Sequence, residues 1–452
     1  MAVRQYIGAR YVPKFYENSL GTAEWQAGVI YEPLTIVTYN GNSYTSKKTV
    51  AADIGNPSDN PSYWVATGNF NEQLADVSGR LASAEEDIDN AETDIATLKK
   101  KCGYYTPEMF GAVGDGVTDD YNAFNAMLGE VEQGDLILLC AKTYYVSQQL
   151  NINKNFIRIS GIAISEYSPV IITDIDSGAL FKVTGAGCVF DNLQISGPSR
   201  GATTACAIDF DGSVINGDCD GTVENCVVYR FEYGIKAGGR NVVIRNCNIS
   251  APRYGIVWYQ LLNAVEHRGH IVDNCRFHGV PVGIKNEINN TLHVKNLTIK
   301  NNIFDGESAT IFSGYSGGLT VKNNVLYIVP TTGGAGNIIQ IDENADSEFA
   351  DRDVIEGNVL HIAGKQYAGI AVNGAVKAII KNNFIENTAR RGIYTTGSAD
   401  VIIANNIIDT ATSWAIECAA ATTGAIANNI IANSTYTVTA GGTTETGTVT
   451  VS

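Results

Sequence analysis

A six-residue phrase recurs through the second half of the chain and limits what it can fold into. It has the form β-branched, any, Asn, Asn or Cys, any, apolar, and reads Val223-Glu224-Asn225-Cys226-Val227-Val228 in its first full copy. Further copies occupy 244–249, 272–277, 299–304, 321–326, 380–385, 403–408 and 426–431. A variant, Ile355-Glu356-Gly357-Asn358-Val359-Leu360, fills the gap, and a weaker one at 191–195 precedes the set. Where copies are consecutive, their first Asn positions are 21, 28, 27, 22, 23 and 23 residues apart. Between them sits a second phrase: Gly234-Ile235, Gly255-Ile256, Gly283-Ile284, Gly369-Ile370, Gly392-Ile393 and Ala415-Ile416. Such a period holds several very short strands and turns but no helix, which is the pattern of a coil stacking equivalent turns. A propeller blade would need longer strands and a period near 40 residues. The expected fold is therefore all-β, a right-handed parallel β-helix over 104–452 with about eleven rungs, roughly 50 Å long at about 4.8 Å per layer. Inward Ile and Val form its apolar column, and the repeated Asn side chains are expected to form ladders. The alternating Thr and Val of 443–452 are expected to add one terminal strand.

Two other segments precede the coil. Residues 1–70 form a small β-rich module, with aromatics at Trp25, Tyr31, Tyr39, Tyr44, Tyr63 and Trp64 and a hairpin signal at Asn40-Gly41. The order of these aromatics and glycines resembles carbohydrate-binding modules of the chitin-binding type, which also serve as virion attachment points. In so small a domain the aromatics are expected first as core and second as a sugar platform. Residues 71–103 carry heptads with Leu74, Leu81, Ile88 and Ile95 at a, and Val77, Ala84, Ala91 and Leu98 at d. That narrow seam predicts a parallel coiled coil, with Ile at a pointing to three chains. The net charge of −16 argues against a nucleic-acid partner, and no apolar run approaches a membrane span. Residues 1–6 contain no apolar core of signal-peptide length, so general secretion is not expected. The cysteines, Cys226, Cys247 and Cys275 among them at one place in the repeat, read as small buried hydrophobes.

The coil opens on Phe110-Gly111-Ala112-Val113-Gly114-Asp115-Gly116-Val117-Thr118-Asp119-Asp120, then an amphipathic stretch with Phe124, Met127, Leu128 and Val131. Physically this is a glycine-rich turn and a helix capping the first layer, with structural roles for Asp115, Asp119 and Asp120. The wording closely resembles the opening of the pectate-lyase-like superfamily of right-handed β-helices, which includes bacteriophage tailspikes and appendage proteins. With the preceding module and coiled coil, the resemblance covers nearly the whole chain. It implies a homotrimeric virion protein of the tail or appendage, made in the host cytoplasm, that binds and often cleaves a bacterial surface polysaccharide or teichoic acid. The first module would contact other virion proteins. Alternatives are a non-enzymatic adhesive or structural fibre, and a free bacterial polysaccharide lyase or hydrolase.

Residues after each Gly-Ile phrase are expected on one face of the rod: Lys236, Trp258, Lys285 with Glu287, Asp342, Tyr394 and Glu417. A row of acids, amines and aromatics suits an extended sugar chain, and glycoside cleavage needs two carboxylates at a set separation. The candidate catalytic pair is Glu287 and Asp342, with Glu266 and His270 as alternates. Trp258 and Tyr259 are candidate sugar platforms, and Lys236, Lys285 and Tyr394 candidate substrate contacts. A hydrolase is expected ahead of a lyase. No metal site is predicted from the five histidines; a lyase would call for Ca²⁺ on carboxylates such as Asp342, Glu343 and Asp346.

Overall fold

The computed structural model describes residues 13–68, 70–162, 169–198, 204–213, 217–251, 253–259, 267–287, 294–306, 310–328, 336–342, 352–362, 368–374, 377–386, 390–398, 400–419, 422–434, 436–439 and 442–451. The chain divides into two compact units, 1–102 and 103–452.

In the first unit, strands Lys14–Phe15, Thr35–Tyr39, Asn42–Ser46 and Trp64–Gly68 form one sheet in that order. Asn40 and Gly41 both take positive φ, 49° and 76°, so a two-residue turn sets Tyr39 opposite Asn42 as the Asn-Gly signal requires. Tyr31 and Trp64 are 2% and 1% exposed and meet edge to face at 5.3 Å, so these aromatics are core. Phe70–Cys102 is a single helix of 33 residues. Four heptad positions, Val77, Leu81, Ile88 and Ile95, stay 52–59% exposed along it.

The second unit is the parallel coil. Two sheets hold fourteen strands each; the third runs through twelve, from Leu150–Ile152 to Tyr436–Thr439, with His267–Arg268 and Val294–Lys295 attached at its side. The coil thus has about 14 turns, not eleven, and stacks to roughly 60 Å at about 4.8 Å per layer. The count from sequence fell short because the opening strands, Tyr104–Tyr105, Leu136–Leu139 and Arg158–Gly161, pair in register without an Asn phrase. At the other end, Gly442–Thr446 and Val449–Val451 are two strands rather than one.

Each Asn of the phrase has its own task. The first one turns the corner between the first and second sheets: Asn225, Asn246, Asn274, Asn301, Asn323, Asn382, Asn405 and Asn428 all have φ of 51–57°. Asn tolerates this left-handed conformation better than other side-chain-bearing residues, and Gly357 and Gly447 take the same corner in their layers. The second Asn points inward. Asn302, Asn324, Asn358, Asn383, Asn406 and Asn429 are at most 1% exposed, and each Nδ2 but that of Asn429, the last, donates to the next Oδ1 at 2.9–3.0 Å. Each also reaches a backbone carbonyl that the corner leaves unpaired, for example Ile355 at 3.0 Å from Asn383. Cys226, Cys247 and Cys275 occupy this position in earlier layers and are buried.

The opening motif is structural. Asp120 accepts from Val113 N–H at 2.7 Å, Asp115 from Val117 and Thr118, and Asp119 from Tyr121 and Ser147. They knit the turn before helix Tyr121–Glu130, whose Ala123, Phe124, Met127 and Leu128 are buried. On the first sheet, the residue before each corner forms a ladder of ion pairs that includes Arg245–Glu224, Lys300–Asp273, Lys322–Glu356 and Lys381–Glu356. Opposite charges one layer apart are satisfied within the face.

Candidate functional site

The third sheet positions the residues expected to bind sugar. Its register places Lys182, Asp209, Lys236, Val257, Lys285, Ser313, Gln340, Ala371, Tyr394 and Glu417 in one outward column, one residue per layer. Two residues further along each strand lies a second outward column, which holds Asp211, Tyr259, Glu287, Asp342 and Asn373. Lys236, Lys285, Tyr394, Glu287 and Asp342 therefore share one face. Lys285 pairs with Ser313 and Ser313 with Gln340, so Glu287 and Asp342 are two layers apart. Glu287 is exposed. Asp342 accepts from Asn373 Nδ2 at 2.8 Å on one oxygen and from Gln340 Nε2 at 2.7 Å on the other, which fixes the plane of its carboxylate.

Two expected contacts point the other way. Trp258 lies two residues after Ile256, and alternation along a strand puts both inside: each is 0% exposed. Val257 holds the outward place in the alternation, although it too is 0% exposed. His270 is likewise 0% exposed, accepts the Val242 N–H on Nδ1 at 3.2 Å and stacks on Trp258 at 4.2 Å, so it packs the core. Tyr259 does face outward, but its hydroxyl is buried beside Asp209, outside hydrogen-bonding geometry. Burial first, and then the Asp209 and Asp211 charges, push this phenol far above its ordinary pKa. It is a partly buried neighbour of the acids rather than an open platform. Glu266, Glu343 and Asp346 fall outside the described residues, and among the described residues no group of three or more His, Cys, Asp or Glu side chains is arranged to hold a metal.

Sequence reasoning missed two features of this face. One is an acid pair, Asp209 and Asp211, both bonded to Lys182 at 2.7 and 2.8 Å. Burial works against the Lys182 charge, yet the two carboxylates outweigh it and hold its pKa above the ordinary lysine value. Burial also opposes the Asp211 charge, but Lys182 and Ser213 hold its carboxyl below the usual range. The Lys236 ammonium follows one layer on, 5.2 Å from the Tyr233 ring and 4.9 Å from Tyr259. The other feature is the residue before each Gly-Ile phrase. Tyr233 and Tyr254 stack at 5.4 Å and Trp414 faces outward in the same column, so the aromatic surface sits there and not at Trp258. The acid pair was readable from the strand phrase Ala-Ile-Asp-Phe-Asp by alternation from the Ile; the tyrosines were not, because two residues before the Ile alternation alone would place them inside, and the strand bends at the intervening Gly.

Two family models match the coil: "Rhamnogalacturonase A/epimerase, pectate lyase-like" over 108–327 and "Right handed beta helix region" over 332–452. Each model covers less than half of the chain, and both agree with the parallel coil described above. Solved structures with the same fold include the A-module of mannuronan C-5 epimerase AlgE4 from Azotobacter vinelandii, at TM-score 0.58 and 18% identity over 76% of this chain and 99% of that one. Tailspike protein 3 of bacteriophage CBA120 aligns at TM-score 0.54 and 14% identity over 94% of this chain and 77% of that one. The catalytic unit of a GH87 α-1,3-glucanase from Streptomyces thermodiastaticus aligns at TM-score 0.51 and 13% identity, over 77% and 69%. At these identities the likeness is one of fold. No curated protein sequence matches the chain.

Proposed function

We propose that the protein is a phage spike whose β-helix binds a bacterial surface polysaccharide or teichoic acid along the third-sheet face and hydrolyses it. The observation that carries this reading is the shared outward face of Lys236, Lys285, Glu287, Asp342 and Tyr394. Repeating layers offer an extended polymer the same kind of contact at each step, and the aromatic column beside them supplies stacking surface. Two layers of about 4.8 Å put the Glu287 and Asp342 backbones roughly 10 Å apart, so side chains leaning towards each other reach the roughly 6.5–9.5 Å between carboxyl groups that leaves room for a water. In this reading the oriented Asp342 carboxylate activates the water and Glu287 protonates the leaving oxygen, with inversion at the anomeric carbon. The hydrolase needs no metal; a lyase version would recruit Ca²⁺ at Asp342. The exposed heptad seam supports a three-chain assembly, and the first module is the segment left to join other virion proteins.

The test incubates full-length protein with capsules and wall polymers of candidate hosts and measures released reducing ends and product anomer. Glu287→Gln and Asp342→Asn are each expected to lower cleavage by roughly 10²–10⁴-fold while binding persists. Products with an unsaturated, ultraviolet-absorbing end would replace the hydrolase with a lyase. Binding without cleavage would make the protein an adhesive fibre, and undiminished cleavage by both variants would remove the pair from the chemistry.

A further inference from the structure

The second sheet carries an outward column whose chemistry changes along the coil. Two residues beyond each corner, one side chain per layer faces out, and the column begins with Gln194, Val227, Asn248 and Arg276. From the next layer it is apolar without a break. Ile303, Val325, Val359, Phe384, Ile407 and Ile430 follow one another in register, and Val449 closes the run. Ile303, Ile407 and Ile430 are 40–43% exposed and Val449 is 55% exposed. Six steps of about 4.8 Å make the stripe roughly 30 Å long.

The surroundings of the stripe suit burial. On the first sheet, the column that holds Glu356 and Lys381 passes to Ala404 and Ala427, so the ladder of ion pairs gives way to methyl groups in the layers of Ile407 and Ile430. On the other side, Asp305, Glu386 and Asp409 are bonded within their own chain to Arg276, His361 and Asn433, so covering them strands no lone charge. An unbroken apolar stripe of this length, on a chain of net charge −16, marks a contact surface. One side chain wide, it falls short of the roughly 800 Å² per partner that a stable interface buries. It therefore suits partners that something else already holds together.

The partner that matches it is a second copy of this chain. The exposed heptad seam of Val77, Leu81, Ile88 and Ile95 calls for parallel association, and only Gly103 separates helix Phe70–Cys102 from the first coil strand, Tyr104–Tyr105. Copies joined through that seam enter their coils at the same layer, and the tether raises the effective concentration of one stripe for another. A parallel neighbour also repeats the stripe at the same spacing per layer, so each side chain meets its counterpart. We infer that the column from Ile303 to Val449 is the face on which parallel copies of this chain pack their coils together, layer against same layer. The inference rests on the seam-driven assembly proposed above, and it leaves the third-sheet face with Glu287 and Asp342 outside the contact.

Sedimentation velocity over a dilution series, and cross-linking, both on the full-length protein, test this. The double variant Ile407→Lys with Ile430→Lys sets like charges into the stripe at exposed positions. It is expected to raise the concentration at which the oligomer dissociates about tenfold or more, with an unchanged circular dichroism spectrum as the check on folding. Ile407→Cys is expected to join copies through a short bis-maleimide. Thr396→Cys, in the outward Asn373 column of the third sheet, is expected not to, and the unsubstituted protein sets the background from native thiols. An oligomer whose dissociation the double variant leaves unchanged overturns the inference and leaves the seam's assembly standing. Cross-linking at Thr396→Cys in place of Ile407→Cys moves the contact to the third sheet and overturns it too. Single chains in the unsubstituted protein overturn the assembly and this inference with it. No readout here depends on glycan, so failure of polymer cleavage leaves the inference standing.

Discussion

Replacing Asn383 by Ala removes one rung of the buried Asn ladder, and the structure specifies what is lost. Asn383 Oδ1 accepts both the Asn358 N–H and the Asn358 Nδ2, at 3.0 and 2.9 Å. Its Nδ2 donates to Asn406 Oδ1 and to the Ile355 carbonyl, each at 3.0 Å. Alanine leaves the Asn358 N–H, one Asn358 Nδ2 hydrogen and the Ile355 carbonyl without partners at a site 1% exposed. Each stranded buried polar group costs about 1–3 kcal/mol, so the sum is roughly 3–9 kcal/mol, towards the lower end if water enters the space. Asn383→Cys should cost less, because Cys226, Cys247 and Cys275 hold the equivalent place and direct their thiols at carbonyls such as Val223 and Ile244. Urea unfolding measures the total, and hydrogen exchange at the Asn358 amide reads the local effect. Coil unfolding can be slow, so the comparison requires transitions shown to be at equilibrium. A change below about 1 kcal/mol with unaltered exchange at Asn358 would show that the ladder records the fold without stabilising it.

Three further outcomes follow from burial and exposure. Trp258→Ala should lower stability by about 3–5 kcal/mol while leaving glycan affinity of the folded fraction unchanged, as monitored by melting and calorimetry; lost affinity in a fully folded variant would return Trp258 to the binding face. Ile88→Asp, in the exposed heptad seam, should turn an oligomer into single chains in sedimentation velocity, and an unaltered profile would detach the seam from assembly. Burial raises the Cys188 thiol to about 11 and the Cys219 thiol to about 12. Folding therefore keeps protons that the unfolded chain releases above about pH 8.5, so this stability is complete below that pH and is lost as pH rises through 11 to 12. Alkaline melting series should fall over that window, and Cys188→Ser should shallow the fall.

The faces of the coil were legible, but their polarity depended on reading alternation from the right residue. Lys236, Lys285 and Tyr394 each follow the inward Ile by one position and face out. Trp258 follows by two and faces in, although its aromatic character suggested a platform. The contact between His278 and Asp305 on the second sheet went unread for a different reason. His278 and Asp305 are 27 residues apart and share no motif; only stacking makes them neighbours. Counting four residues past each corner Asn would have aligned them.

Local chemistry decided the period, the left-handed corners and the inward column, because each depends on residues within one turn: an Asn that accepts positive φ, an Asn that satisfies a stranded carbonyl, an Ile at alternate positions. The heptads decided a long helix on the same grounds. Tertiary structure alone decided which layers lie next to which. It added turns that carry no Asn phrase, joined Asp209, Asp211 and Lys182 into one cluster, and bent Arg276 and His278 towards the same carboxylate. Those contacts cross from layer to layer, and their register comes from backbone hydrogen bonds between turns, which no single stretch of the chain encodes.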